Sequence, residues 1–405
     1  MSRMKYSLMQ QDIVVADLEI EETTGRIQKI YQVWEAERMP VGVPIRRGIA
    51  DRTALNEWWA DRRIPLYREG VPEALSDLQI ANPAMLSLQS LGMSVSDAYW
   101  IRPEGSHFTW KEKNFFAHAF SEDVGNALMG QREMKGAVDL HSPDSTTDGY
   151  LKKRWEWIDK RPYLLKGGSP PYFQQPFAEV VASEVMDRLG IRHVPYTLVM
   201  RDGKPYSLCE DFVTQDTELV SAWRIMQTQK KASSTSVYQH FVNCCEVLGA
   251  PSVIPDLDQM IVLDYILANE DRHLSNFGLL RDVASLSWIG FAPIYDSGSA
   301  LGYDKTAQQI RSGTGILCKP FKKRHEDQLN LVSSFDWIDF EALCGLDAWM
   351  RRIGAYIEEE RMEAILFSMH RRIERIKEMA ERGIQREIIS TEGDVERNQA
   401  EDYRN

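Results

Sequence analysis

Carboxylate and amide oxygens at close spacing can hold a hard divalent cation against phosphate oxygens, and a nearby carboxylate can take the proton of an attacking hydroxyl. The run Asp271-Arg272-His273-Leu274-Ser275-Asn276 supplies both kinds of group. Asp271 is suited to accept or orient the hydroxyl proton, and Asn276 to bind Mg²⁺. A second metal ligand is expected in Asp296. The apolar stretches 277–280 and 288–292 have the pattern of a hairpin that would return the chain beside Asn276. Upstream, Lys166 ends the apolar strand Tyr163-Leu164-Leu165, from which an ammonium would reach the α- and β-phosphates of ATP. Glu179, on the helix that follows, would hold that lysine by an ion pair. The chemistry implied is phosphoryl transfer from ATP with Mg²⁺.

Asp271 and Asn276 have the separation of the Asp and Asn in the catalytic-loop pattern H-R-D-x-x-x-x-N. Tyr295-Asp296-Ser297-Gly298 keeps the Asp and Gly of D-F-G but has Ser in place of Phe, which removes the analogy to a movable Phe and leaves the metal chemistry. Glu210-Asp211-Phe212, just after a strand, fits a hinge whose backbone groups meet the adenine edge, with Glu210 and Phe212 as nucleotide-site residues. No G-x-G-x-x-G precedes Lys166. The phosphate cover is therefore assigned to 145–153, through Ser145, Thr146, the single Gly149, Lys152 and the adjacent Lys153. His273 is grouped with the nucleotide site as a residue that orders the loop, not as a ligand or base.

These residues need a scaffold. Two strands over 153–159 and 161–165, a helix over 177–189 stopped by Gly190, and a hairpin of 194–201 with 205–212 around Asp202-Gly203 would place Lys166, Glu179 and Glu210 in one small sheet-and-helix unit. From Leu219 onward helical patterns dominate, and the apolar run 263–268 is read as a buried helix delivering Asp271 to a cleft floor. Ahead of this unit, 13–20 and 27–34 read as a hairpin around Thr23-Thr24-Gly25, and helices are expected over 55–61, 83–92 and 113–129. Trp58, Trp59, Trp100 and Trp110 are assigned to core or interface packing. The charged stretch from about 386 is expected to be a frayed tail. The boundaries expected are 1–140 for an N-terminal region, 141–215 for a small lobe, 216–385 for a helical large lobe and 386–405 for the tail.

Composition narrows the alternatives. The chain has 405 residues, 43% of them apolar, and a formal net charge of −12. Global disorder is excluded, and so large an acidic excess disfavours holding nucleic acid through its phosphates. No run approaches the roughly 18 apolar residues of a membrane span, and a cytoplasmic location without membrane contact is expected. The five cysteines form no C-x-x-C pair and suggest neither a disulfide framework nor a zinc site.

The pattern D-R-H-L-S-N over 271–276, A-P-I-Y-D-S over 292–297, the Lys166 strand, and Ala178-Glu179 leading to Leu189-Gly190-Ile191 together resemble HipA-like kinases. The resemblance covers roughly 142–382. It implies an α+β, two-lobed protein-kinase-like fold with a mixed α/β N-terminal extension and a mostly helical C-terminal lobe. It further implies a Ser/Thr protein kinase, often a bacterial toxin or regulator that partners a DNA-binding antitoxin. Carried over, Asp271 is the catalytic base, Asn276 and Asp296 are Mg²⁺ ligands, Lys166 meets the ATP phosphates, and Glu210 and Phe212 lie in the hinge. The family's Ser-Gly-x-Gln-x-Lys phosphate loop is present here only as Ser145-Thr-Thr-Asp-Gly-Tyr-Leu-Lys, and residues 1–140 are unlike the family's usual N-terminal part. Ser145, Thr146 or Thr147 is the implied place of autophosphorylation. Phosphatidylinositol kinases share D-R-H-x-x-N, which leaves a lipid or small-molecule kinase, or a non-catalytic ATP-binding regulator, as the alternatives.

Overall fold

The computed structural model describes residues 3–131 and 138–402, with side chains through Arg382. In Ile13–Glu21, Val15, Leu18 and Ile20 all enter the core, the change of parity between Val15 and Leu18 being taken up by an irregularity in register at Asp17 and Leu18. This strand pairs antiparallel with Arg3–Gln10 and with Arg26–Val33, the latter across a turn in which Gly25 has φ 63°. Tyr99–Pro103 adds to the free edge of Arg3–Gln10 and makes a four-stranded sheet. The N-terminal region is thus a sheet with helices, not a lone hairpin with helices. Asp51 caps the helix Arg52–Ala60, which buries Trp59 and Leu55 against this sheet.

The helix expected over 113–129 is two short ones, Trp110–Lys113 and Asp123–Leu128. The break has a local cause. The Asn114 side chain accepts from the backbone N–H groups of Phe116 and Ala117, at 3.0 and 2.9 Å, and so closes a turn that competes with the helix.

A second antiparallel sheet contains, in spatial order, Lys153–Ile158, Arg161–Gly167, Lys204–Glu210 and Thr197–Arg201. Between its second and third strands in the chain runs the helix Gln175–Arg188, apolar on most of its circumference and buried along nearly its whole length. A third sheet joins Thr217–Ser221, Gly278–Asp282 and Trp288–Phe291. Gly278 is needed there, because a Cβ would collide with the Val220 carbonyl. The remainder is helical, centred on Ile254–Leu267, which is buried from Met260 to Leu267 and anchors the largest apolar cluster. The last helix runs Glu359–Asp402, so the stretch expected to be a tail continues that helix to Asp402.

Residue 140 is not a boundary in the core. Met9, Met93 and Trp100 share one apolar cluster with Trp155 and Val283. Polar contacts reinforce it: Arg38 donates to the Val283 and Ala284 carbonyls, at 3.0 and 2.9 Å, and Glu218 bridges Arg281 and Gln10. All five cysteines are free thiols. Among the described residues no helix is long and apolar enough to cross a membrane.

Candidate active site

Lys166 lies near the end of its strand and is 4% exposed. Its ammonium donates to Glu179 Oε1 at 2.9 Å, to Asp296 Oδ1 at 2.8 Å and to the Tyr196 hydroxyl at 3.2 Å. Burial alone would push the Lys166 ammonium down, but the Asp296 and Glu179 carboxylates outweigh it and hold it well above its ordinary range. Asp296 responds in the opposite sense. Burial opposes its charge, yet Lys166 and Lys153 keep its carboxyl well below the ordinary carboxylate range. The two lysines thus favour its charged form.

The Asp296 segment is held from several sides. Glu179 Oε2 accepts from the Ser297 backbone at 2.8 Å, and Gly298 leaves room for the same carboxyl, which a Cβ there would meet at 3.2 Å. The chain after the Glu179 helix pairs with Ile294 through Val194 N–H at 2.9 Å. Asp296 itself has φ 58°, a left-handed conformation that non-glycine residues adopt rarely and often at functional sites.

Asp271 and Asn276 lie on a loop that leaves the buried helix through Ala268, itself at φ 54°. Backbone bonds from His273 N–H to the Asp271 carbonyl, 2.7 Å, and from Asn276 N–H to the His273 carbonyl, 2.8 Å, wind the loop tightly. The Asn276 amide N–H donates to the Asp271 carbonyl at 3.1 Å, which orients its Oδ1, an acceptor only, away from that bond. His273 Nδ1 accepts from the Ser275 backbone at 3.3 Å, a bond within the loop. Asp271 Oδ1 is met at 2.7 Å by Lys319 from a distant segment.

Arg272, which the sequence reading passed over, joins these two segments. It is 0% exposed, and it grips Asp264 with two parallel bonds of 3.0 Å. From there it donates to the carbonyls of Asn276, at 3.1 Å, and Tyr295, and to the Ser297 hydroxyl at 2.8 Å. One guanidinium thus fixes the Asn276 loop to the Asp296 turn. The signal available was Asp264, the one charge within the apolar run Met260–Leu267 of that helix, which has to find a buried partner.

The residues expected over the phosphates are placed differently from one another. The Ser145 and Thr146 hydroxyls are buried and already bonded, Thr146 to the Met93 carbonyl at 2.8 Å and Ser145 to that of Leu140 at 3.5 Å. Thr147 bonds the Pro143 carbonyl at 2.9 Å, so none of the three hydroxyls is free in this arrangement. Gly149 has φ 100°, available only without a side chain, and Lys153 Nζ occupies the space a Cβ there would need. Lys152 turns away and pairs with Glu69 at 3.3 Å. Its neighbour Lys153 enters the site instead. Lys153 is 7% exposed and lies directly opposite Lys166 in the strand ladder.

Two lysines facing each other across a ladder repel. Burial, with Arg68 and Lys166 nearby, lowers the Lys153 amine from 10.5 to about 8, against the pull of Asp296. Between pH 8 and 10.5 the unfolded chain therefore binds more protons at this group than the folded one, so its contribution makes stability rise with pH in that window. Lys153→Met is expected to remove that rise and to stabilise the protein below pH 8 by on the order of 3 kcal/mol. Urea unfolding of both proteins between pH 7 and 10 checks this, and parallel pH profiles would exclude it.

At the position expected for a hinge, the Glu210 carboxylate faces out to Arg161 and to the Tyr163 hydroxyl, 3.0 Å. Phe212 packs on Tyr295 with centroids 5.3 Å apart. Beside Asp271 a cavity of about 340 Å³ is lined by Trp223, His273, Leu274, Ser275, Lys319 and Pro320.

Residues 135–376 match the family described as the HipA-like C-terminal domain. Among characterised relatives, the serine/threonine-protein kinase CtkA of Helicobacter pylori is 31% identical over 138 residues, which are 31% of this chain and 40% of that protein. The chain thus spans well under half the length of that relative. Among solved structures, the Shewanella oneidensis toxin–antitoxin complex of HipA, HipB and operator DNA aligns over 92% of this chain and 97% of the other, with TM-score 0.50 and 11% identity. That likeness is one of fold. The Helicobacter pylori proinflammatory kinase CtkA aligns over 57% of this chain and 94% of the other, with TM-score 0.46 and 21% identity.

Proposed function

This chain is a member of the HipA-like C-terminal domain family, and from that premise we propose that it is an ATP- and Mg²⁺-dependent protein serine/threonine kinase of two-lobed architecture. The observation that carries the reading is the Lys166 ammonium held between Glu179 at 2.9 Å and Asp296 at 2.8 Å. A buried lysine with that pair of partners is poised for nucleotide phosphates, because a polyanion can share the ammonium while Glu179 keeps it in place. Asp296 and Asn276 would hold Mg²⁺, and their oxygen donors suit that hard cation. When bound, the metal would neutralise phosphate charge. Lys153 would add a second ammonium on the face of Lys166.

Asp271 would orient the acceptor hydroxyl and take its proton, with Lys319 restraining the carboxylate. The cavity beside it, walled by Trp223, Leu274 and Pro320, suits a side chain that flanks the acceptor serine or threonine. Trp223→Ala is expected to raise KM for a peptide acceptor about tenfold, near 1.4 kcal/mol of contact, and to leave KM for ATP unchanged. Steady-state kinetics with each substrate varied in turn decides it. Equal KM values in both proteins would move the acceptor elsewhere.

Regulation by a protein partner, as in a toxin–antitoxin pair, belongs to the same proposal. It is supported by family membership and by a net charge of −12, which disfavours direct nucleic-acid contact. The reading is tested by incubating the full chain with Mg²⁺ and γ-labelled ATP, alone and with candidate protein substrates, and locating label by mass spectrometry. Label on Ser or Thr supports it. Binding of ATP without transfer or hydrolysis under any condition overturns it.

A further inference from the structure

Arg68 lies outside the family domain, on the turn that leads into the helix Val71–Asp77, and it is 1% exposed. The turn packs on the start of the Lys153 strand, since Glu69 pairs with Lys152 at 3.3 Å and a Cβ at Gly70 would stand 3.7 Å from Lys152 Cε. From this position the guanidinium reaches the loop assigned to the phosphates. Nε donates to the Gly149 carbonyl at 2.7 Å, and Nη2 donates to the Thr147 carbonyl. The third nitrogen, Nη1, is buried and has no hydrogen-bond partner among the described residues.

Buried donors are nearly always paired, so an orphaned guanidinium nitrogen calls for a partner. Its surroundings say of what kind. Gly149 has Arg68 on its carbonyl and Lys153 Nζ in the space a Cβ would take, and Lys153 in turn stands opposite Lys166. Three cations are thus gathered around one glycine loop and one strand pair, while Glu179 and Asp296 answer only Lys166 directly. Asp144 and Asp148 add negative charge near Arg68, but neither carboxylate bonds it. An arginine suits this place better than a lysine, because its planar fork can hold two carbonyls and still present a third donor.

We propose that Arg68 is a further phosphate-binding residue, and that its Nη1 completes with Lys153 and Lys166 a cationic cradle for the terminal phosphates of a nucleoside triphosphate. The assignment rests on the kinase reading above. It makes the N-terminal region part of the nucleotide site, so that the family domain alone would bind the polyphosphate incompletely. Arg68 also secures the loop, through Gly149 and Thr147, against the ligand it meets.

The test measures affinities for ATP, ADP, AMP and adenosine with Mg²⁺, by titration calorimetry on the full chain and on its Arg68→Gln and Arg68→Lys variants. Arg68→Gln is expected to weaken ATP binding about 10- to 100-fold, the loss typical of one charge-assisted hydrogen bond, with a smaller loss for AMP and less than about twofold for adenosine. Arg68→Lys is expected to restore part of the ATP affinity, because it keeps the charge but not the two carbonyl bonds. Equal losses for ATP and adenosine, or a lysine variant no better than glutamine, would reduce Arg68 to a loop clamp and overturn the proposal. If Arg68→Gln does not fold, the lysine variant decides alone: a loss confined to the phosphorylated ligands supports the assignment, and an unchanged or uniform affinity removes it. Failure of the kinase reading shows separately, as wild-type protein that binds no ATP.

Discussion

Asp271→Asn is expected to lower phosphoryl transfer by about 10²- to 10⁴-fold, the range for loss of a positioned proton acceptor, while ATP affinity stays within about twofold. The substitution is close to isosteric, and the bonds that shape the loop survive it. His273 N–H and the Asn276 amide both donate to the Asp271 main-chain carbonyl, not to its carboxylate. What disappears is the negative charge at Oδ1, together with the 2.7 Å pair to Lys319. That pair is partly exposed on both sides and contributes little stability, so the variant should melt with the wild type. Initial rates of label transfer at saturating ATP, beside calorimetric ATP affinities, separate the chemical step from binding. Retention of more than about a tenth of the rate would remove Asp271 as the base and move attention to another group near the cavity.

Lys166, Glu179 and Asp296 could be read ahead of the structure because each belongs to a local pattern: a strand end, the helix after it, and the return of a hairpin. The apolar runs 277–280 and 288–292 do pair, as Gly278–Asp282 with Trp288–Phe291, and the return leads to Asp296. Lys152 against Lys153 was a question of parity. Adjacent strand residues face opposite ways, and only the register that sets Lys153 opposite Lys166 says which of them enters the site. Alternation in Lys153–Ile158 sets Lys153 on the face of Trp155 and Trp157, against Arg154 and Glu156 on the other, but Arg161–Gly167 carries apolar residues on both faces, so the sequence pattern does not say which partner Lys153 meets.

Other features depended on contacts between distant segments. Tyr99–Pro103 completes the first sheet by pairing with Arg3–Gln10, and nothing local to either strand announces the other. Arg68 reaches Gly149 across a similar gap in sequence. The hydroxyls of Ser145 and Thr146 looked free for phosphate because their composition is that of an exposed turn. Packing of the N-terminal region buries them and gives them carbonyl partners. The broken helix at Asn114 is a different case, in which side-chain bonds to the backbone outweigh an amphipathic pattern.

Arg272→Ala is expected to destabilise the protein by about 3–5 kcal/mol, because it removes one partner of a fully buried ion pair and leaves Asp264 uncompensated. Asp264 and Arg272 are 1% and 0% exposed, so water cannot replace the guanidinium without opening the core. The carbonyls of Asn276 and Tyr295 and the Ser297 hydroxyl lose their donor at the same time. Arg272→Lys should recover little, since an ammonium cannot span the two Asp264 oxygens and the Asp296 turn together. Pairing Arg272→Met with Asp264→Leu should recover much of the stability, as apolar replacements of buried ion pairs often do. Activity should not return with it, because only weaker ties, such as the Tyr295 hydroxyl on the Ser275 carbonyl at 2.9 Å, would then be left among the described residues between the Asn276 loop and the Asp296 turn. Urea unfolding followed by both tryptophan fluorescence and circular dichroism, with transfer rates on the same samples, distinguishes the two effects. A single Arg272→Ala variant within about 1 kcal/mol of wild type would mean that this network orders the site without supporting the fold. A double variant that regained activity with stability would mean that the Asn276 loop and the Asp296 turn hold their positions without Arg272.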